Sequence, residues 1–398
     1  MAIQTYQVRL KNYAGEQVEL FTGYGRGVGQ AAFRSLSYTR RLRTLGTFGL
    51  TLDGNDSRIP QLKHENYQIE IWRYDPLAGL DWLATLPSWR VDDDTLTSGW
   101  YKDFEGFIRG WKKGFNSEGK RSFYVAGRQY NDMLITEAIR YATGTAEALK
   151  SGLPGAVAAE YVNENIGSGA GLDTLGISRV RVGLTETVES DTAATWSGDR
   201  ANKNLLDVLQ ELAEFGPGDF ALVGTGPATF EFRWRGTRWG LDKTRGNAGG
   251  LPPVVFSANN RNVSTVEVGY SALDEINTVY TAGQGQGDRR NYRTGVTARA
   301  TAFNWSRRAA FRDTRDTNVD AEMDDRADAE LDAGRARNYA KFNVIQTTAT
   351  RYGRDWDMGD LVNFEDDDGT LYAFKAWGVG VKIDENGNEF IAPELVDE

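Results

Sequence analysis

The chain has 398 residues, of which 46 are Lys or Arg and 56 are Asp or Glu, so its net charge is −10. It has no cysteine, which excludes disulfides and thiolate chemistry, and its single histidine, His64, is the one candidate for a His-based metal cage or a Ser-His-Asp triad. The length predicts about two to four domains, and the acidic balance disfavours a protein that grips nucleic acid, because phosphate contacts need a basic surface.

The first 130 residues predict about eight short strands and little helix. The clearest unit is the strand pair within Phe33–Leu52, in which Leu36, Tyr38 and Arg40 alternate with polar neighbours, and a short basic connection at Arg41–Thr44 joins the two strands. Side chains on a strand alternate between its faces, so each strand can bury one face and the neighbouring strands must align with it. Further strands are predicted at residues 3–10 and 17–21.

The rest of this segment continues the pattern. Alternation around Ile69 predicts another strand, to which Asp81–Leu86 would pair back. Phe104–Trp111 and Ser122–Ala126 follow, with a turn at Asn116–Lys120. Many short strands with turn signals between them favour a closed or nearly closed barrel over residues 1–130.

Residues 131–253 predict a mixed α+β domain. Helices are expected from Asn131 to Ala142, after Pro154 and over Asn202–Phe215, because apolar residues recur there at helical spacing. Arg179–Val182 predicts a short strand. Phe220–Val223 and Thr229–Trp234 predict a hairpin, and Gly246–Pro253 a linker or domain edge; these last three ranges complete the segment.

From residue 254 the pattern is again that of strands. Those expected are Val254–Phe256, Val263–Tyr270, Ile276–Gly283, Lys341–Thr348, Leu361–Glu365, Leu371–Lys375 and Gly378–Ile383. A helix over Asn318–Arg337 would begin with a capping box of Thr317 and Asp320. It would expose an acidic face, which is usually solvated; the alternative is a surface that lines a subunit contact or a lumen. Residues 254–300 and 341–398 would thus form a second barrel, with a helical insertion at 301–340.

Several motifs suggest ligands but have simpler interpretations. The glycine clusters at Gly23–Gly29 and Gly283–Gly287 do not open a helix as a phosphate loop must, so we interpret both as surface loops. The acidic runs at Asp92–Asp94, Asp366–Gly369 and Asp384–Gly387 lack the ligand spacing of a calcium loop, and we interpret them as a solvated loop and two turns. His64 is expected to be an exposed turn residue.

Sequence motifs of catalysis are also missing. The chain has no Walker loop, no G-x-S-x-G elbow, no H-E-x-x-H and no zinc-ligand spacing. A pair of carboxylates could still hydrolyse a glycoside, but among 56 acidic residues no pair stands out. We therefore predict no enzyme, no cofactor, and no catalytic, cofactor-binding or metal-ligating residue.

Nor does the sequence predict membrane anchoring. Mean hydropathy is −0.51, and no run approaches the roughly 20 apolar residues of a membrane helix. The first ten residues, MAIQTYQVRL, lack the layout of a signal peptide.

Four stretches of the chain resemble the tail-tip or baseplate hub proteins of long-tailed bacteriophages. They are LSYTRRLRTLGTFGLTL from Leu36 with the strand Ile69–Tyr74; Phe104–Arg109, Val125–Leu134 and Tyr141–Ile166; Leu205–Glu214 with Phe230–Trp234; and Asp274–Gly287, Ala310–Thr317 and Tyr352–Phe364. They span almost the whole chain and follow one another in the order seen in the family. The resemblance lies in the general residue pattern and in this order, not in a catalytic motif.

The resemblance implies an α+β, mostly β, structural protein of the virion tail tip, assembled in the bacterial cytoplasm. Two tail-tube-like barrels, at 1–130 and at 254–300 with 341–398, would alternate around a threefold axis. A homotrimer would then present a pseudo-sixfold ring to the hexameric tail tube. Expected partners are the distal tail protein, the tail tube, the tape measure protein and a central fibre or spike, with phage DNA passing through the lumen without specific binding. Many relatives continue into fibre, lysin or adhesin modules, whereas this sequence stops at Glu398. We therefore expect partner proteins to carry those roles.

Two alternatives remain at this stage. One is a hub of a contractile injection system, which would differ mainly in what it docks. The other is a secreted β-rich glycan-binding or hydrolytic protein, in which tryptophans such as Trp82, Trp89 and Trp100 would stack on sugars.

Overall fold

The structure is a computed structural model that describes residues 5–23, 32–74, 99–115, 117, 119–140, 148–173, 175–191, 195–216, 218–302, 305–315 and 317–397. The predicted strand Asp81–Leu86, the triplet Asp92–Asp94, and Trp82 and Trp89 lie outside the described residues, as does most of the first glycine cluster. Within the described residues no helix is both long and apolar enough to span a membrane.

Short strands dominate the described residues. They are β1 Thr5–Lys11, β2 Gln17–Gly23, β3 Ser35–Arg41, β4 Thr47–Asp53, β5 Gln68–Tyr74, β6 Trp100–Phe115, β7 Arg121–Gln129, β8 Leu149–Gly152, β9 Leu184–Ser190, β10 Trp196–Asp199, β11 Asp219–Gly226, β12 Thr229–Arg235, β13 Val255–Phe256, β14 Val263–Ser271, β15 Thr278–Ala282, β16 Tyr292–Val296, β17 Ala309–Asp313, β18 Arg337–Val344, β19 Leu361–Glu365, β20 Leu371–Ile383 and β21 Glu389–Asp397. The α-helices are α1 Asp132–Ile135, α2 Pro154–Asn165, α3 Leu205–Phe215, α4 Ala298–Ala302 and α5 Asp320–Ala333, and 3-10 turns lie at Gln61–Lys63 and Gly287–Arg289. The mostly β, α+β class is confirmed.

The β3–β4 hairpin lies in the middle of the main sheet, where the strands of the N-terminal region meet those of the C-terminal region. We call the junction between β3 and β20 the seam. In that sheet the strands run in the order β14-β18-β21-β20-β3-β4-β7-β6-β5-β1-β2, with β19 attached to β20 and β13 to β19. One edge of the hairpin carries the strands of the N-terminal region, and the other edge, β3, pairs antiparallel with β20 of the C-terminal region. The predicted hairpin is confirmed, and it joins the two β-rich ends of the chain.

The two predicted barrels are not seen as separate closed cylinders. Within the described residues, no set of strand pairings closes into a ring, and the strands of both regions form one sheet. Their apolar side chains also merge into one core, since Leu50 and Ile71 of the N-terminal region cluster with Phe342 and Val379 of the C-terminal region. The sequence pattern could not show this union, because strand alternation fixes which face is buried and not which strand lies beside which.

A second apolar core lies in the middle of the chain. Helix α2 packs on β9 and β12 and on β8, which pairs antiparallel with β10, and helix α3 packs on α2 and α1. Buried residues such as Tyr161, Leu209 and Phe232 belong to this core. Helix α3 begins at Asn204, whose side chain accepts a hydrogen bond from the Leu206 N–H at 3.0 Å, as expected of a helix cap.

Two predictions in this middle part of the chain are corrected, and a third is confirmed. The helix expected from Asn131 to Ala142 is only α1, Asp132–Ile135, because the backbone of residues 137–139 bonds instead to residues 202–205: the Ile139 N–H donates to the Lys203 carbonyl at 2.9 Å. Arg179–Val182 is not a strand; the strand begins later, at Leu184, and runs parallel to β12. The hairpin of β11 and β12 is confirmed.

The C-terminal region also differs from the prediction in detail. Leu371–Ile383 is one strand, not two. A bulge between Ala376 and Gly378 leaves Trp377 with no residue of β21 opposite it. Strand β21, Glu389–Asp397, was not predicted. The turn between β20 and β21 is confirmed at Asn386-Gly387, where Gly387 has a φ of 78°, a conformation that glycine adopts without strain.

Residues 278–333, which we call the insertion from here on, contain a sheet as well as a helix; besides part of the range 301–340 they include β15 and β16, which lie in the range 254–300 predicted for the second barrel. Strands β16, β15 and β17 form a three-stranded sheet that packs against α5 through Val279, Ala327 and Leu331. The helix begins at Asp320, not Asn318, and the predicted capping box does not form: the Thr317 hydroxyl instead accepts from the Val319 N–H at 3.1 Å.

Candidate functional site

The arginines of the central hairpin contact all three parts of the chain. Arg40, at the buried end of β3, contacts the N-terminal and C-terminal regions. Arg41 pairs with Glu394 on β21. Arg43, in the connection to β4, pairs with Asp219 of β11. The basic connection singled out by sequence is therefore an interdomain junction.

Asp103 is the centre of the deepest part of this junction. Its Oδ1 accepts from Arg40 Nη1 at 3.0 Å and from the Tyr352 hydroxyl at 3.1 Å, and its Oδ2 accepts from the Tyr38 hydroxyl at 2.5 Å. Arg73 Nη1 lies 3.7 Å from the same Oδ2. The Asp103 and Arg73 side chains have no solvent exposure, so each of these charges depends on its protein partners.

Strands from opposite ends of the chain are joined by this network. Arg40 Nη1 also donates to Asp357 Oδ1 at 2.7 Å, and Arg73 Nη2 donates to Glu389 Oε1 at 2.8 Å. Asp103 and Arg73 belong to the N-terminal region, whereas Asp357 and Glu389 belong to the C-terminal region. The network therefore fastens the same seam that the β3–β20 pairing makes.

Burial and charge set the protonation of the network. Burial disfavours a charged Arg40, but the nearby Asp357, Tyr352 and Asp103 outweigh it and raise the Arg40 pKa well above its usual value. Burial also raises the pKa of Tyr38 and of Tyr352 well above the usual range. Both tyrosines are therefore neutral hydrogen-bond donors at neutral pH.

Asp219 anchors the middle region to the seam. Its carboxylate accepts from Arg43 Nε at 2.9 Å, from Lys375 Nζ at 2.8 Å and from the Trp239 N–H at 2.8 Å. The Asp219 side chain is fully buried. Arg43 holds a left-handed backbone conformation, with a φ of 57°, which is uncommon for a residue other than glycine and is held here by these contacts.

A third ion cluster joins the middle region to the N-terminal strands. Lys102 Nζ lies 2.7 Å from Glu105 and donates to the Gly224 carbonyl at 3.2 Å, while Glu105 accepts from the Gly224 N–H at 2.6 Å. Burial raises the pKa of Glu105. Burial acts the same way on Glu70, but Lys102 and Lys11 outweigh it and lower the Glu70 pKa.

Chemically, the junction is suited to holding parts together. Its carboxylates are buried and ion-paired, so a polymeric substrate cannot reach them. Removing one partner of a buried ion pair destabilises a protein by about 3–5 kcal/mol. Sequence analysis missed Asp103, Asp219 and Glu105. One signal could have found them. A charged residue at an inward position of a strand, such as Arg40, must be buried and therefore needs a partner of opposite charge.

The other sequence-derived sites have ordinary structures. His64 is exposed and stacks on Tyr67 with ring centroids 4.7 Å apart. The turn at Asp366–Gly369 is confirmed between β19 and β20, and the Gly283–Gly287 cluster lies in the β15–β16 connection. In the part of the chain that the structure describes, no three His, Asp or Glu side chains are grouped so as to hold a metal ion.

The fold is similar to those of two tail proteins, one of them from a prophage. A tail protein from Neisseria meningitidis MC58 matches with a TM-score of 0.57 and 13% identity, covering 99% of this chain and 97% of its own. The 43 kDa tail protein of prophage MuSo2 from Shewanella oneidensis matches with a TM-score of 0.58 and 12% identity, covering 99% of this chain and 98% of its own.

The chain belongs to the family described as Siphovirus ReqiPepy6 Gp37-like protein, whose model matches residues 17–395. The predicted resemblance to phage tail proteins is therefore confirmed. A structure of the lidded PdpA–VgrG complex from Francisella also matches, with a TM-score of 0.51, 8% identity and coverage of 100% of this chain and 53% of that one. No curated protein sequence matches the chain.

Proposed function

We propose that this protein is the trimeric hub of a phage tail tip, a structural component of the virion. The observation that carries the proposal is the match of the whole fold, end to end, to prophage tail proteins. The family model matches residues 17–395, so the similarity in sequence also covers almost the entire chain.

The mechanism that we propose is mechanical. Each chain would contribute two tube-like units, one from residues 1–130 and one from the main-sheet strands within residues 254–300 and 341–398, so that three chains imitate the sixfold symmetry of a tail tube. The continuous sheet across β3 and β20 and the buried network at Asp103 support this function, because they hold the two regions of one chain in a fixed relation. Residues 131–253 and the insertion would pack around this ring.

The ring would join the tail tube and its distal and tape measure proteins to a central fibre or spike, and phage DNA would leave through its lumen. The net charge of −10 supports passage without adhesion, because a basic channel would hold the phosphates of DNA. A closed ring of this kind uses two different surfaces of each copy at every contact. No step of this mechanism needs a catalytic residue or a cofactor.

A hub of a contractile injection apparatus is the second candidate. It is favoured by the fold match to the Francisella PdpA–VgrG complex. The two candidates share the ring and differ in what lies below it, so the proteins that purify with the hub distinguish them. A tail attached to a DNA-containing head supports the first candidate, and a contractile particle without a head supports the second.

The mass of the purified protein tests the proposal. Native mass spectrometry, alone and after addition of purified tail tubes, should give a species of about three times the 44.2 kDa chain mass. A protein that stays monomeric in both samples and does not bind the tubes would refute the hub function. Polysaccharide cleavage by such a monomer would instead support the glycan-active alternative.

A further inference from the structure

The three-stranded sheet of the insertion leaves one face uncovered. The face that carries Val279, Gly295 and Ala310 packs on α5, and a Cβ built at Gly295 would lie 3.0 Å from the Ala327 Cβ. Alternation places Tyr280, Tyr292, Val296 and Phe311 on the opposite face. Tyr292, Val296 and Phe311 are 55%, 52% and 57% exposed, although apolar side chains of this size are usually buried.

Arginines accompany these aromatic rings. The Arg307 guanidinium donates to the Tyr280 hydroxyl and lies 5.3 Å from the centre of its ring. Arg290 lies 5.9 Å from the ring centres of both Tyr292 and Phe311. Arg290 pairs with Asp313, whereas Arg307 is exposed and, among the described residues, has no carboxylate partner. We call this surface the aromatic face; exposed aromatic rings with arginine are typical of protein–protein interface centres.

The other side of the same insertion carries the opposite charge. A cleft of about 800 Å³ lies between α5, the end of α3 and the C-terminal strands. Its walls include Glu214, Asp325 and Asp328, none of which has an ion-pair partner among the described residues. We call this surface the acidic cleft. Burial, together with the neighbouring Asp328, Asp324 and Glu322, raises the pKa of Asp325, so these carboxylates repel one another.

The cations of the cleft are largely occupied. Arg43 and Lys375 both pair with Asp219, and Arg335 pairs with Asp332 and Asp397. The fourth cation of the lining, Arg337, donates to the backbone carbonyls of Asp332 and Ala333. The bulge at Trp377 places that residue in the lining, where Phe215 and Val396 also lie. The cleft therefore combines unpaired negative charge with apolar wall, which complements an exposed surface of aromatic rings and arginine.

We propose that the aromatic face of one copy docks into the acidic cleft of the next copy. The two surfaces lie on opposite sides of one insertion, with the sheet and α5 between them. A front-to-back contact of this kind is heterologous and can close a ring. The inference rests on the ring proposed above and assigns the contact that closes it, with Arg307 of one copy set against Asp325 and Asp328 of the next.

Charge exchange tests the contact in the full-length protein. Arg307→Asp alone and Asp328→Arg alone should each weaken association about 10- to 100-fold, since like charges would then face each other in the interface. The double variant R307D/D328R restores opposite charges and should recover association to within about threefold of the wild type. Sedimentation velocity and native mass spectrometry over a concentration series measure this, with Lys113→Glu, an exposed charge reversal on β6 in neither surface, as control.

Mixing the two single variants adds a geometric test. In the mixture, both contacts between unlike variants carry opposite charges, whereas contacts between two copies of the same variant carry like charges. Mixing should therefore restore association that neither variant shows alone, although a three-membered ring keeps one like-charge contact and should form less readily than in the wild type. Circular dichroism of each variant separates lost association from lost folding.

Failure of this contact can be told apart from failure of the proposed function. A wild-type protein that is trimeric, with single variants that associate normally, overturns the docking contact and leaves the hub intact. A wild-type protein that never associates refutes the hub itself. Retention of single-stranded or duplex DNA that Arg307→Asp abolishes while the trimer persists would assign the aromatic face to nucleic acid and overturn the contact.

Discussion

Replacing Asp103 with Asn tests whether the buried network holds the two β-rich regions together. The substitution keeps the side-chain shape but removes the charge between Arg40 and Arg73, whose Nη1 atoms lie 3.0 and 3.7 Å from the carboxylate. An amide also puts an NH₂ group where Tyr38 or Tyr352 now donates. Removing one partner of a buried pair costs about 3–5 kcal/mol, and we expect a loss of free energy of unfolding in that range.

The assay is urea unfolding followed by tryptophan fluorescence at pH 7. The control is Glu394→Gln, which breaks the pair with Arg41 at the same seam. That pair has 36% and 38% side-chain exposure, so its loss should cost about 0–1 kcal/mol. Equal costs for the two substitutions, or a cost below about 1 kcal/mol for Asp103→Asn, would refute the reasoning that the deep network fastens the seam.

Three further expectations concern packing, pH and the interface between copies. Gly127→Ala should cost about 1–3 kcal/mol or more in thermal or urea unfolding, because its Cβ would lie 1.9 Å from the Phe107 carbonyl oxygen. Gly110→Ala, with no atom within 4 Å of its Cβ, should stay within about 0.5 kcal/mol, and equal losses would contradict the packing. Burial alone would raise the pKa of Glu211, but Arg200, Arg312 and Lys203 outweigh burial and lower that pKa. The ionised Glu211 therefore stabilises the fold at neutral pH. This contribution is lost as the pH falls from about 4.3, the pKa in the unfolded chain, through the lower pKa in the folded chain. Glu211→Gln should therefore lower stability at pH 7 and flatten its decline below pH 5, and an unchanged pH profile would contradict this. Phe311→Ser should weaken association of copies without lowering the stability of the fold, since the ring is exposed, and normal association would count against the aromatic face.

Local structure was predictable where one physical signal governs it. The alternation in β3, β12 and β20 identified strands because each buries one face, and Pro154 marked the start of α2. The length of helix α1 was overestimated because the backbone of residues 137–139 bonds to residues 202–205 instead of continuing the helix. Tertiary hydrogen bonding decided that outcome, and the local sequence does not contain it.

The candidate site was predictable only at its centre. The basic run at Arg40–Arg43 was visible, and the alternation of β3 already placed Arg40 inward. Its partners lie 63 and 317 positions along the chain, at Asp103 and Asp357, and a single sequence does not show which carboxylate reaches which arginine. The union of both β regions into one sheet was missed for the same reason, because β3 and β20 are distant in sequence.

A cryo-electron microscopy reconstruction of isolated tail tips, with this chain located by a tag, tests the central proposal most directly. The account predicts a threefold ring around a lumen, in which each copy contributes two tube-like units joined across β3 and β20. A single copy per tip, or a ring in which the two ends of each chain do not occupy equivalent positions around the lumen, would contradict it.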